Sequence, residues 1–263
     1  MLRSPVDWHK RYQEQARWTK DLRQFLYRRT GVEKAERILD LGCGTGVLAK
    51  ELGETTQAEI HCLDINPAYI RYAAEEDPGQ FPTIGDAHQL PYDSEIFDIT
   101  LCHFLLLWVS NPAQVLSEMI RVTRAGGVVM SLAEPDYGGR IDYPLKLEKL
   151  GTLQQESLRL QGADPLMGRR LAGLFSSAGL AELESGVLGG QWSRQTMIAG
   201  FESEWRIFKS DLAYLANSTV EENLPLTEAE LRKLKELSRA ASARGERVLF
   251  VPTFYAWGIK PDK

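Results

Sequence analysis

The sequence predicts an α/β fold: a parallel sheet with helices on both faces. Three observations point there. Short apolar runs alternate with helical patterns through the first half of the chain. The run Phe97–Cys102, with Phe97, Ile99, Leu101 and Cys102, reads as a strand covered on both faces, as a buried parallel strand should be. A strand pattern at Arg37–Leu41 also runs straight into Gly42, Gly44 and Gly46 before a helical pattern starts at Val47. A strand end, a glycine-rich turn and a helix N-terminus together form a cofactor-binding corner.

The elements follow in order. Residues 7–30 predict one or two helices, with Trp8, Tyr12, Trp18, Leu22, Phe25 and Leu26 at helical spacing. Residues 37–41 form a first strand and 47–52 begin a helix. A second strand spans 59–63. The helix 67–76 has Pro67 in its first turn, where a missing N–H costs nothing. Strands at 81–84 and 97–102, a helix at 113–122 and a strand at 127–133 complete the alternation, which implies a parallel sheet. Beyond Glu134 the rhythm changes. Residues 143–161 and 168–178 read as helices, the second ended by Gly179, and 181–188 as a strand. Helices follow at 195–217 and 227–243, where Thr227 and Glu230 match a capping box. Residues 247–259 read as one final strand. The organisation expected is a single domain over residues 1–263. It has a helical cap (1–35), a cofactor-binding core (36–141), two helical insertions forming a lid (142–167 and 194–245) and a C-terminal part of the sheet (168–193 and 246–263).

Composition excludes several function classes. A net charge of −5 without a basic extension argues against nucleic acid as a partner. The longest apolar run, residues 104–109, is far too short to span a membrane. The N-terminus lacks an apolar signal region, so a cytoplasmic protein is expected, monomeric or homodimeric. Cys43, Cys62 and Cys102 have no paired spacing, which argues against a disulfide framework and against a metal site.

The register of the glycines narrows the cofactor. A dinucleotide fingerprint needs a small residue where Val47 stands, and the Gly-Lys-Ser/Thr of a phosphate-binding loop is absent. The stretch Ile38-Leu39-Asp40-Leu41-Gly42-Cys43-Gly44-Thr45-Gly46 resembles the first motif of class I S-adenosylmethionine-dependent methyltransferases. Asp64 at the second strand end, Gly85-Asp86-Ala87, Leu90-Pro91-Tyr92, Phe97-Asp98-Ile99 and Arg124-Ala125-Gly126-Gly127 continue the resemblance. Arg11, Gln15, Trp18, Thr19 and Arg23 before it, and Glu134-Pro135-Asp136-Tyr137 after it, resemble the small-molecule methyltransferases of the methyltransferase-domain 11/25 type. The resemblance implies a Rossmann-like, seven-stranded, mostly parallel sheet whose seventh strand is antiparallel, with 181–188 and 247–259 as strands six and seven.

It also implies a site for S-adenosylmethionine. Asp64, with Ile65 beside it, would hold the ribose diol, because a carboxylate accepts two hydrogen bonds at once. Asp86, Ala87 and His88 would meet the adenine. Asp40, Gly42, Cys43 and Gly44 would line the loop, and Arg11, Tyr12, Gln15 and Trp18 would approach from the first helix. His103 and Phe104 leave the sheet near the methyl group, with His103 as a cofactor contact or catalytic base. Glu134, Asp136 and Tyr137 are candidate substrate ligands. Plainer roles stand beside these: a cap for Asp40, a helix N-cap for Asp64, a turn for Asp86, a hydrogen-bonded strand end for His103. His61 is expected to be structural and His9 to lie at the surface. Trp108, Trp192, Phe201, Trp205 and Phe208 are candidates to wall an apolar substrate, or core. The function implied is methyl transfer to a small organic acceptor at O, N, S or C. The alternatives are a regulatory protein that binds the cofactor without turnover, and an enzyme acting on RNA or protein. Against RNA, strand four ends Cys102-His103-Phe104-Leu105 and lacks an Asn-Pro-Pro-Tyr or Asp-Pro-Pro-Tyr motif.

Overall fold

A computed structural model describes residues 4–189, 194–218 and 226–262. Helices α1 (Pro5–Trp18) and α2 (Lys20–Thr30) precede an alternating series. The series runs β1 (Arg37–Leu41), α3 (Val47–Thr55), β2 (Glu59–Asp64), α4 (Pro67–Glu76), β3 (Phe81–Ile84), β4 (Phe97–Cys102), α5 (Pro112–Val122) and β5 (Thr123–Pro135). Then come β6 (Ile141–Tyr143), α6 (Glu148–Leu160), α7 (Met167–Ser177) and β7 (Ala181–Leu188). The series ends with α8 (Arg194–Ser218), α9 (Glu228–Arg244), β8 (Val248–Phe250) and β9 (Thr253–Ile259).

The main sheet has seven strands in the order β3-β2-β1-β4-β5-β9-β7. β1 pairs in parallel with both β2 and β4, so the strand order reverses direction at β1/β4. In open sheets of this kind the ligand crevice lies at that reversal, outside the carboxyl ends of the strands. β9 is antiparallel: at its end Gly126 N–H donates to Lys260 O and Lys260 N–H returns to Gly127 O, both at 2.9 Å. The arrangement is the expected Rossmann-like one.

The chain divides into two compact units. The first takes residues up to Glu134, then Gly168–Leu188, then Phe254 onward, and carries the main sheet. Its core is aliphatic, with Ile38, Leu52, Cys62, Leu101, Met130 and Leu132 fully buried. The second unit takes Pro135–Met167 and Gly189–Thr253. Leu147, Leu150 and Leu153 pack there against Phe201, Trp205 and Phe208 of α8. These three aromatics are therefore core, and each contributes about 1.5–3 kcal/mol by its burial. Trp108 is an exposed residue of the first unit, and Trp192 lies outside the described residues.

The two-stranded sheet of the second unit corrects the sequence reading. Residues 247–259 do not make one strand. β8 pairs antiparallel with β6, Ile141 opposite Phe250 and Tyr143 opposite Val248, and the chain then breaks at Val251-Pro252 before β9 enters the main sheet. Pro252 has no N–H to continue a ladder. The helix expected from 143 starts only at Glu148, because Pro144 pushes Tyr143 into the extended region. A buried ionic cluster fastens this corner. Asp142 accepts from Arg140 at 2.6 and 3.1 Å and from Arg247 at 2.7 Å. Arg140 also reaches Gln154, whose amide donates to Asp211 at 2.7 Å, and Arg247 reaches Glu204 at 3.1 Å.

Among the described residues no helix is long and apolar enough to cross a membrane, and no group of three or more His, Cys, Asp or Glu side chains is placed to hold a metal ion. The three cysteines are free and buried.

Candidate active site

β1 delivers the chain to the glycine loop at the strand reversal. Gly42, Gly44 and Gly46 have φ of 72°, 56° and 78°, a region that side chains disfavour. Gly42 and Cys43 both donate to Leu63 O, at 2.7 and 3.0 Å, which pins the loop against the end of β2. The space that side chains would need is already taken. A Cβ on Gly42 would meet Leu105 at 2.7 Å, and one on Gly44 would meet the Tyr12 ring at 2.8 Å.

Three carboxylates lie on or beside the strand ends here, and Asp64 bonds the loop directly. Asp64 ends β2; its Oδ2 accepts from Gly44 N–H at 2.9 Å and its Oδ1 from Asn66 N–H at 2.8 Å. Burial raises its pKa, against the pull of those amides. Ile65 beside it is 69% exposed, an apolar surface left bare at the loop. Asp86 is exposed, and its Oδ1 accepts from His88 N–H at 2.9 Å and from the His88 ring at 2.7 Å. Those contacts hold its pKa below the usual value. His88 is half-buried rather than free in solvent, since its Nε2 also accepts from Asn111 N–H at 3.3 Å. Ala87 is buried between Asp86 and His88. Asp40 is buried inside β1, and its Oδ2 has no hydrogen-bond partner among the described residues. Burial first, then the nearby Asp64 charge, push its carboxyl up to about 7.

The turn after β4 forms the next wall. Phe104 has φ +53°, an outlier for a bulky residue, and such strain gathers at functional sites. Phe104 N–H is held by Ala133 O at 2.9 Å. The next three amides, of Leu105, Leu106 and Leu107, all donate to the Glu134 carboxylate at 2.8–3.1 Å. Glu134 is fully buried, and that burial pushes it up to about 8 despite the three amides. By shaping this turn it brings Leu105 over Gly42. His103 donates to or accepts from Thr19 Oγ1 at 2.8 Å, and loss of water and the Arg23 charge hold its pKa well below the usual value.

Helix α1 covers the loop from the other side. Tyr12 stacks on Trp8 at 5.5 Å and meets Tyr69 edge-on at 6.0 Å. Arg11 lies over the Trp8 ring at 5.3 Å and Gln15 is half-buried. Trp18 is 54% exposed. His9, expected at the surface, is half-buried with its Nδ1 2.9 Å from Thr45 Oγ1 of the loop. Its ring packs on Tyr72 at 5.0 Å. His61 is structural as expected, stacked on Phe81 at 4.9 Å.

Residues 39–131 match the profile of a family described as a methyltransferase domain. Over these residues the chain is similar to the methyltransferase domains of class I enzymes. The malonyl-(acyl-carrier protein) O-methyltransferase of Serratia marcescens is 32% identical over 95 residues, 36% of this chain and 37% of that protein. The demethylmenaquinone methyltransferase of Geobacillus kaustophilus is 28% identical over 198 residues, 66% of this chain and 81% of that protein. The chain spans about a third of the length of the malonyl-(acyl-carrier protein) relatives it matches. Among solved structures, phosphoethanolamine N-methyltransferase 2 of Haemonchus contortus in complex with S-adenosyl-L-methionine superposes with a TM-score of 0.55. It is 15% identical and covers 92% of this chain and 53% of its own, a likeness of fold.

The first unit holds Arg11, Tyr12, Gln15, Trp18, Asp40, the loop, Asp64, Ile65, Asp86, His88, His103, Phe104 and Glu134. Asp136 and Tyr137 belong to the second unit, where Asp136 is buried and accepts from Gly138 N–H at 3.0 Å. Sequence reasoning missed Leu105, Tyr69, and the contacts of His9 and Thr19. Only the spacing of Thr19 and Arg23, one helical turn apart, carried any signal for them.

Proposed function

We propose that this chain transfers a methyl group from S-adenosylmethionine to a small organic acceptor. The observation that carries the reading is the Asp40 Oδ2, a buried carboxylate oxygen two residues before Gly42 that has no donor among the described residues. Such an atom is costly unless a ligand supplies a hydrogen bond, and the ammonium of a methionyl group is a donor of the right charge. The rest of the corner fits the same ligand. Each Asp64 oxygen keeps a lone pair after its backbone bond, which suits two ribose hydroxyls. The bare Ile65 offers an apolar face to a flat base, and Asp86, whose bonds to His88 use Oδ1, keeps Oδ2 as an acceptor that suits an amino group.

When bound, the sulfonium supplies an activated methyl group, so the chain needs to position, orient and exclude water. Tyr12 over Gly44 and Leu105 over Gly42 perform the last task. The acceptor's class is supported by the acidic net charge and by relatives whose names give malonyl-(acyl-carrier protein) and demethylmenaquinone as substrates.

Calorimetry with S-adenosylmethionine and S-adenosylhomocysteine tests the cofactor. A labelled-methyl screen across thiols, amines, phenols and carboxylates tests turnover. Absence of binding at millimolar cofactor would overturn the reading, and binding without transfer to any acceptor would favour a regulatory protein.

A further inference from the structure

Thr19 stands between α1 and α2, where the backbone leaves helical geometry at φ −110° and ψ 8°. Its side chain is buried, as is that of Arg23 one turn later. The Arg23 guanidinium spends every edge. Its Nε and Nη2 fork onto the Glu51 carboxylate at 2.9 and 2.5 Å, while Nη1 donates to Ala16 O at 2.7 Å and to Thr19 Oγ1 at 2.5 Å. A guanidinium has no acceptor, so Thr19 Oγ1 must accept in that last bond. The hydroxyl then has one hydrogen to place. Ala16 O stands 3.5 Å away and already takes Arg23 Nη1 and the Thr19 N–H. His103 Nε2 stands 2.8 Å away. An O–H···O contact at 3.5 Å lies beyond a normal bond, so the hydrogen goes to His103.

We propose that Thr19 and Arg23 are positioning residues that fix His103 as the Nδ1–H tautomer, so that His103 serves the site as a hydrogen-bond donor and not as a general base at Nε2. The reverse tautomer would aim Nε2–H at an oxygen already receiving Arg23, and would leave the hydroxyl hydrogen with only the distant Ala16 carbonyl. Arg23 strengthens the arrangement twice. Its charge polarises the hydroxyl toward His103. The same charge opposes a second proton on the imidazole. The fixed tautomer stands on this geometry, whereas its use in the site rests on the methyl-transfer reading.

Nitrogen NMR of the full chain with labelled histidine tests this at neutral pH, with His103 assigned from the signal lost in His103→Gln. The expected spectrum shows His103 Nε2 as a bare lone-pair nitrogen and Nδ1 as N–H. Thr19→Val, which keeps the shape and loses the hydroxyl, should shift His103 to a mixture of tautomers, and Thr19→Ser should restore the single form. A wild-type Nε2–H tautomer would overturn the proposal, as would an unchanged His103 signal in Thr19→Val. Should Thr19→Val fail to fold, the wild-type and Thr19→Ser spectra still decide. Loss of cofactor binding in wild-type calorimetry would sink the methyl-transfer reading and leave the tautomer standing.

Discussion

Replacing Asp64 by alanine separates two roles that the structure assigns to one side chain. In the free protein Asp64 holds Gly44 N–H and Asn66 N–H, at 2.9 and 2.8 Å. Hydrogen bonds to a charged group contribute about 1.5–3 kcal/mol each when buried. Asp64 is half-buried, and water reaches the freed amides, so the folding cost should stay near the lower bound, about 3 kcal/mol in total. Loss of two further bonds to a ribose diol should cost about 3 kcal/mol of binding, roughly a hundredfold in affinity. Asp64→Asn keeps one acceptor oxygen and removes the charge, so it should lose about half of that, roughly tenfold. Calorimetry with S-adenosylhomocysteine reads the binding term, and urea unfolding of the free protein reads the folding term. If Asp64→Ala lowers the unfolding midpoint but binds within about threefold of wild type, the carboxylate only ties the loop and the ribose assignment fails.

Three other perturbations address separate parts of the molecule. Gly44→Ala forces a side chain into φ +56°, at about 1–2 kcal/mol, and presses a Cβ to 2.8 Å from Tyr12. Both stability and cofactor affinity should fall, and a fully retained melting midpoint would contradict the packing described. Asp142→Ala removes the carboxylate that both Arg140 and Arg247 donate to, leaving Gln154 to Arg140 and Glu204 to Arg247 among the described hydrogen bonds, so the second unit should lose about 3 kcal/mol. At a urea slope of about 2 kcal/mol/M the midpoint should drop by about 1.5 M; no movement would mean the cluster is not stabilising. Asp40 titrates near its ordinary 3.8 in the unfolded chain and at about 7 when folded. Across that window the unfolded state gives up a proton that the folded state keeps, so Asp40 lowers stability as pH rises from about 4 to about 7. Asp40→Asn should flatten that fall, and an identical pH dependence of the midpoint in variant and wild type would exclude Asp40 as its source.

The parts of the fold legible in the sequence are those encoded locally. The parallel strands announced themselves as apolar runs between helical patterns, and the loop through glycines whose positive φ leaves little choice of residue. The capping box at Thr227 and Glu230 closes as its spacing predicts, with Glu230 N–H to Thr227 Oγ1 at 3.2 Å. What stayed hidden depends on long-range pairing. Asp142 meets Arg247 across 105 residues, and Glu134 reaches back 27 to 29 residues to shape the turn at Leu105. No periodicity records such contacts. The helical spacing of Phe201, Trp205 and Phe208 was plain, but spacing cannot tell a core from a pocket wall. The break at Val251-Pro252 was missed because the alternation of apolar residues continues through it, and only the absent amide of Pro252 gave it away.

The place of β9 has a consequence for how the molecule is made. It lies between β5 and β7, yet every other strand of the main sheet precedes it in the chain. From the end of β5 at Pro135 to the start of β9 at Thr253 the ribosome must add roughly 120 residues, at about 5–20 residues per second. For roughly 6 to 24 seconds β5 waits with an unpaired edge, and β7 waits for part of that time. An open slot of that kind invites any passing strand. Slowed translation between these two strands should therefore raise aggregation of the nascent protein without changing the stability of the finished one.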